Sequence, residues 1–515
     1  MVYPGFAGSR IALIFIQGKR LPGSGIPVAS ISGIRSIFLL SYGVMNRYAS
    51  SRLWFVVIIC VCVFSCKKNK PLPAAPSGLT ISNISDTGAT IHWNATDLAI
   101  SYALYIGTDA GFTKGLAMYN PMSVTALTVV LSELTPATKY YVKLVAKNEN
   151  GEGAPALADF TTEDADGLVV AGCANHNLYA FSARDGHIVW SYSTGGEVSA
   201  TPIIQDSVVY VGSLDGKLYA INAGNGSQKW STGKMRSGGG ISSTVTISKG
   251  IIYLGDYGGW FYAFDAKNGA ELWSYIVPSP YRNFNAAAVV SGDSTIFIGD
   301  YDGKVYALNA ATGIPRWYTT STGNPLASGV ALYNNTLYVG AMPKLYAFDA
   351  AGGALKWRGM VTGYEVFDAS PTISNNKVLI GDESGMFYAF DAATGAIAWS
   401  RKLSNGSIMS SAMAVDGIVY VGDGGGVLYA LDVATGSIVW SNNGLSTKNI
   451  YSGPVVTDKY VYVGTLEGKM CCVNRATGVT KWSSLASPGQ GFYSSPGVLK
   501  YSGKTFHPGI TGIVQ

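Results

Sequence analysis

IVYVGDGGGVLYALDVATGSIVW, residues 418–440, decides the fold. Ile418 to Gly422 and Leu428 to Leu431 alternate with period two, as half-buried strands do. Between them Gly424-Gly425-Gly426 supplies the positive φ that a hairpin turn needs. Asp432-Val433-Ala434-Thr435-Gly436 is a second turn, whose Asp can accept bonds from turn N–H groups. Trp440 follows four residues after Gly436, a side chain large enough to fill a wedge between packed sheets.

The pattern recurs as VVYVGSLDGKLYAINAGNGSQKW (208–230) and KVLIGDESGMFYAFDAATGAIAW (377–399). The full series is Trp190, Trp230, Trp273, Trp317, Trp357, Trp399, Trp440 and Trp482, at intervals of 40, 43, 44, 40, 42, 41 and 42 residues. All eight are read as structural, one filling the wedge beside each unit. A period near 42 suits a four-stranded propeller blade and not a 33- or 34-residue helical repeat. Units open on small residues, such as Ser370-Pro371-Thr372, that suit a crowded inner strand. The first unit, Asp166 to Trp190, lacks that strand, and Ser494 to Leu499 follow the last Trp. The expectation is an all-β, eight-bladed propeller, its ring closed by the C-terminal strand; seven blades is the alternative if one unit is irregular. Closure would remove exposed sheet edges.

The motif Y-A-x-D-A-x-T-G-x-x-x-W resembles that of the pyrroloquinoline-quinone (PQQ) propeller superfamily. The likeness runs from residue 166 to 515. One arm of that superfamily is the quinoprotein alcohol dehydrogenases. The other is non-catalytic periplasmic propellers such as BamB, a lipoprotein of the β-barrel assembly machinery. Such a repeat specifies fold far better than function.

Residues 78–163 carry shorter alternating segments, including ATIHWNA, SYALYIG and KYYVKLVAKN. Short strands separated by turn residues indicate a β-sandwich. They resemble a fibronectin type III domain. Trp93 stands where that family buries a Trp, Leu134 to Tyr140 matches its L-x-P-x-T-x-Y corner, and Asn148 to Gly153 matches its N-x-x-G-x-G loop. The resemblance implies a spacer, with no catalytic residues.

The chain has 515 residues, 36 Lys+Arg, 31 Asp+Glu and a net charge of +5. Its 48% hydrophobic content excludes a disordered chain. Residues 1–65 hold six of the basic residues and none of the acidic ones, so the rest carries −1. That leaves no basic footprint for nucleic acid. Arg47 and Arg52 precede the apolar run Leu53 to Phe64, too short for a bilayer and suited to a secretory signal. Val63-Phe64-Ser65-Cys66 resembles the looser lipobox of Bacteroidetes lipoproteins. The expected organisation is an upstream extension (1–44) that is not native, a signal peptide (45–65), lipidation at Cys66, a tether (66–77), the sandwich (78–163) and the propeller (166–515). The alternatives are an ordinary signal or an uncleaved anchor. Cys173, Cys471 and Cys472 remain, too few for a disulfide framework.

Quinoprotein dehydrogenases set a vicinal disulfide against their quinone, which draws attention to Cys471-Cys472. Aligned on the repeat, these replace Tyr429 and Ala430 of a strand. Strand neighbours point to opposite faces, so small packing residues are the expected role. Asp256, Asp300, Asp382 and Asp423 each follow a strand-ending Gly and recur with the blade. His92, His176, His187 and His507 show no metal-ligand spacing. The Gly422–Gly426 run is followed by no Lys-Ser/Thr, so it is no phosphate loop. Neither PQQ nor Ca²⁺ is expected, and the chain is read as no enzyme; a PQQ-dependent oxidoreductase is the alternative.

The segments after each Trp vary most. They hold Arg236; Tyr281, Arg282 and Phe284; Tyr364, Glu365 and Phe367; Tyr451; and Phe492 and Tyr493. In a propeller these loops gather on one face, and aromatics and Arg are enriched in binding hot spots. The alternative is that they pack locally. The expected protein is a monomeric lipoprotein of the bacterial envelope, held to the outer membrane through Cys66. Its propeller is expected to bind an envelope protein or polysaccharide and no nucleic acid. A BamB-like part in outer-membrane protein assembly is the narrower form of that expectation.

Overall fold

The computed structural model describes residues 70–507, apart from 279–282, 285, 293, 321, 327, 342, 362–366 and 368. These fall in one compact unit, Asn69–Gln515. The extension 1–44, the signal 45–65 and Cys66 lie outside the described residues.

The first domain is a sandwich. Thr80–Ser82, Ala89–His92 and Thr128–Leu131 form one sheet. Met122–Val124, Ser101–Gly107, Lys139–Asn148 and Gly151–Thr161 form the other. Trp93 is fully buried in the core between them, edge-on to Tyr102 with ring centroids 5.4 Å apart. The Tyr140 hydroxyl accepts the Thr135 N–H at 2.9 Å, closing the corner. Tyr140→Phe should lower stability by about 0.5–1.5 kcal/mol, the net worth of one hydrogen bond whose donor, on the exposed Thr135, water can reach; urea denaturation measures this.

Part of the expected tether is fastened down. Asn150 Nδ2 donates to the Lys70 carbonyl at 2.7 Å, and Asn148 Nδ2 to that of Pro71 at 2.8 Å. Gly153 admits the chain closely: a Cβ there would lie 2.2 Å from the Pro73 oxygen. The N-x-x-G-x-G loop is thus a cradle for the incoming segment.

Beyond Thr161 the described residues form eight further sheets. In a representative one, Met413–Val415, Ile418–Gly422, Leu428–Asp432 and Ile438–Asn442 run as an antiparallel meander. The middle two strands are buried; the fourth is largely exposed. In one sheet the order is Ile188–Ser193, Asn177–Ser182, Asp166–Gly172, Gly497–Lys500 and Thr505–Phe506. The C-terminal segment therefore pairs with the first unit, Val498 opposite Val169. Thr505–Phe506 adds a fifth strand that the repeat pattern does not announce.

Each motif Trp lies on the following unit. Trp190 Nε1 donates to Ala223 O at 2.8 Å, Trp273 to Ala310 O at 3.0 Å and Trp357 to Ala392 O at 3.1 Å. Trp399 donates to Val433 O and Trp440 to Arg475 O, both at 3.0 Å. Trp482 Nε1 donates to Ala183 O of the first unit at 3.0 Å. Trp230 and Trp317 sit the same way over the next unit's turn: a Cβ on Gly269 or Gly353 would lie 2.6 Å from their rings. The expectation that all eight fill a wedge needs one correction of depth. Trp190 and Trp482 are buried, whereas Trp230, Trp273, Trp317, Trp357, Trp399 and Trp440 are only half-buried. All eight stand on the fourth strand of their sheet, whose other residues are largely exposed, as in Ile188–Ser193 and Gln228–Ser231. They seal the outer mouth of the wedge, and the buried second and third strands fill its depth. The turn Gly beneath each ring has two reasons to be Gly. Gly395 has φ +75°, and a Cβ there would lie 2.5 Å from Trp357.

Candidate functional site

In a four-stranded meander, the turns from strand two to three share an end with the loops into the next sheet. The variable segments belong to that face. Their residues divide sharply by burial.

Val198, Ile241, Phe284, Leu326, Phe367, Ile408, Ile450 and Phe492 are buried, and recur at 41 to 43 residues. Each plugs the space above the Gly that ends the second strand of the unit before it. A Cβ on Gly255 would lie 2.3 Å from Phe284, and one on Gly464 2.5 Å from Phe492. This corrects the expectation that Phe284, Phe367 and Phe492 face a partner: they are core. The sequence signal is an apolar residue at the blade period, hidden by the variability of the loop around it. Two residues on, a Ser often ties down the equivalent Gly of the next unit. Ser494 Oγ accepts the Gly172 N–H at 2.8 Å, and Ser328 Oγ that of Gly340 at 3.0 Å.

The turns between strands two and three are equally built. Asp256, Asp300, Asp382 and Asp423 are buried. Asp382 Oδ1 accepts the N–H groups of Ser384 and Met386, at 3.0 and 2.9 Å. Its Oδ2 accepts the Tyr388 hydroxyl at 2.9 Å. Tyr262, Tyr306 and Tyr429 bond Asp256, Asp300 and Asp423 likewise, at 3.0, 2.9 and 3.2 Å. Burial first, then Asp423, pushes the Tyr429 phenol up to about 12. Burial also pushes the Asp300 carboxyl up. The spacing D-x₅-Y is legible in the sequence but needs the hairpin to give it meaning.

What remains exposed is narrower. The Arg236 guanidinium lies 2.6 Å from Glu271 and 5.7 Å from the Trp260 ring, so a cation is held over an aromatic face. Its backbone N–H donates to Tyr262 at 3.1 Å. Tyr451 and Tyr493, from two different loops, meet with ring centroids 6.2 Å apart. Asn449 Nδ2 donates to the Tyr451 hydroxyl at 2.7 Å, and Tyr493 is 44% exposed. Tyr281, Arg282, Tyr364 and Glu365 lie outside the described residues.

Cys471 and Cys472 are free and fully buried within strand Lys469–Asn474. Cys471 packs with Ile450, Val461 and Val463; Cys472 packs with Val169, Tyr462 and Trp482 on the other face. Burial pushes their thiols up to about 11 and about 12. Among the described residues no three or more His, Cys, Asp or Glu are grouped to hold a metal.

A cleft of about 640 Å³ lies at the other end of the sheets, where the sandwich meets the propeller. Asp86, Pro136, Arg184, Lys459, Tyr460 and Lys500 are among its walls. Lys459 reaches Glu163 at 2.5 Å, and Lys500 reaches Asp458 at 2.6 Å.

The fold defines a class: an all-β chain in which a fibronectin type III sandwich precedes a Trp-motif repeat propeller. The chain belongs to the family described as outer membrane protein assembly factor BamB, whose model matches residues 146–317 and 301–491. A fibronectin type III model matches residues 74–161. BamB of Yersinia pestis is 33% identical over 63 residues, 12% of this chain and 16% of that protein. Tetrathionate hydrolase of Acidithiobacillus ferrooxidans is 32% identical over 57 residues, 11% of each chain. Both matches therefore span less than a fifth of the relatives' lengths. A europium-containing methanol dehydrogenase superposes with TM-score 0.52 at 16% identity, covering 62% of this chain and 84% of that one. That likeness is one of fold.

Proposed function

We propose that this is a non-catalytic protein of the bacterial envelope, anchored to the outer membrane by lipid on Cys66. In this reading its eight sheets are the blades of a ring closed by Gly497–Lys500, and its loop face binds a protein or polymer partner. The family supports a partner in outer-membrane protein assembly. The single observation that carries the reading is a division of labour. The cysteines and turn aspartates that could serve a quinone site are consumed by the fold. Among the described residues, Arg236 over Trp260 and the Tyr451–Tyr493 pair leave binding chemistry open on the loops. Arg and aromatic side chains that lose water on binding are what protein hot spots use.

Crosslinking in envelopes followed by capture tests this. Wild type should retain a defined partner, and the double variant Arg236→Ala/Tyr493→Ala should lose it by tenfold or more, since each hot spot is worth about 1–2 kcal/mol. Titration with PQQ and Ca²⁺ is the second arm. Saturable binding with turnover of an alcohol on an artificial dye would overturn the non-catalytic reading.

A further inference from the structure

The sandwich has two ends. The Leu134–Pro136 corner, with Asp86 and Glu163, lines the cleft against the propeller. The opposite end is built from Lys70 to Pro73, the loop Thr96 to Ile100 and the turn Asn148 to Gly151. These three are joined. The Ile100 N–H donates to Lys147 O at 2.8 Å, Asn148 holds Pro71, and Leu72 covers Gly151.

This end carries three bulky apolar side chains in the open. Leu72 is 52% exposed, Leu98 48% and Ile100 68%. Single exposed apolar residues are ordinary; three on one tip are less so. Leu98 also sits at φ +66°, a left-handed backbone that Leu disfavours. The chain accepts that strain in a turn that displays Leu98.

The neighbouring sequence indicates what lies next to the tip. Lys70 is fastened to the sandwich, and Cys66 is four residues away. Four residues reach no more than about 14 Å fully extended. Lys67 and Lys68 are suited to anionic headgroups, whereas Lys70 is shared with Glu149 of the tip at 3.6 Å. We infer that the tip formed by Leu72, Leu98 and Ile100 seats in the interface of the lipid bilayer. This rests on the lipid-anchor reading above. A lipid chain reinforced by a second contact anchors more firmly than one alone. The seating also sets orientation. The sandwich meets the propeller at Lys459 and Arg184, on the side of the one-to-two and three-to-four turns. The loop face with Tyr451 and Tyr493 then points away from the membrane.

The test uses the full lipidated protein in vesicles of phosphatidylethanolamine and phosphatidylglycerol. Cys173, Cys471 and Cys472 are buried, so a thiol introduced at the surface takes an environment-sensitive fluorophore selectively. Labels are placed by Leu98→Cys and, separately, Ile100→Cys. Tyr301→Cys, at an exposed position in a two-to-three turn of the loop face, is the aqueous reference. The expected result is a blue shift at 98 and 100, and several-fold stronger quenching by nitroxide lipids than at 301. Protein that floats with vesicles while both tip labels remain in water overturns the inference and leaves the anchor standing. Protein that does not float removes the anchor and the inference with it.

Discussion

Phe492→Ala should cost about 3–5 kcal/mol, the range for emptying a buried aromatic site. Phe492 is fully buried, though it sits in a loop. Its ring meets Tyr179 and Phe181 of the first unit edge-on, with centroids 6.2 and 6.0 Å away. Its N–H donates to Thr465 O of the last unit at 3.1 Å. Removing it opens a void between the last sheet and the first, in the segment that carries the chain from Thr480–Leu485 into Gly497–Lys500 of the first sheet. Two neighbours make the prediction specific. Tyr493→Ala alters an exposed side chain and should cost under about 1 kcal/mol. Phe492→Leu should recover most of the loss, to within about 1.5 kcal/mol of wild type, because Leu326 occupies the equivalent place in another unit. Urea unfolding of the three variants decides. Equal losses at 492 and 493 would mean that neither is a plug.

These two adjacent residues also show how far the sequence can be read. Periodic features are legible: the Trp series, the strand alternation and the turn glycines each repeat often enough to separate from noise. The depth of each Trp is not, because Trp230 and Trp190 carry the same motif yet differ in what covers them. Cys471 and Cys472 are legible, since strand alternation alone sends them to opposite faces, as found. Phe492 and Tyr493 look alike because a variable loop invites reading as surface. Only the 41- to 43-residue spacing from Val198 onward separates a plug from its neighbour. Among the described residues of the proposed face, Arg236, Tyr451 and Tyr493 keep solvent exposure, and the three Phe are buried. Contacts that join distant segments without repeating are beyond reach. Nothing local in LKYSGK announces that Lys500 will be buried, because its partners come from positions 164, 166 and 458.

That lysine carries the second large effect. Lys500 is 6% exposed. Its ammonium lies 2.6 Å from Asp458, 3.7 Å from Asp164 and 3.9 Å from Asp166. Asp166 in turn accepts the hydroxyls of Thr457 at 2.7 Å and Tyr462 at 2.8 Å. One cation thus joins the interdomain linker, the first sheet and the last unit. Lys500→Met keeps the stem but strands the buried Asp166 without its cation, and should cost about 3–5 kcal/mol. Adding Asp166→Asn removes the stranded charge, so the double variant should be less damaged than the two single losses added together. The pH dependence follows from the same geometry. Burial pulls the Lys500 ammonium down, but the Asp458 bond and the surrounding carboxylates hold it above its ordinary value. Its contribution is complete below the unfolded lysine pKa and is lost as pH rises through the folded one. The Lys500 bond holds Asp458 below the ordinary carboxylate value, against burial. That contribution is present above the unfolded carboxylate pKa and is lost as pH falls through the folded one. Wild type should therefore lose stability at both the alkaline and the acid end, and Lys500→Met should flatten both limbs. A variant that melts within about 0.5 kcal/mol of wild type across that range would show the cluster to be an ordinary surface ion pair.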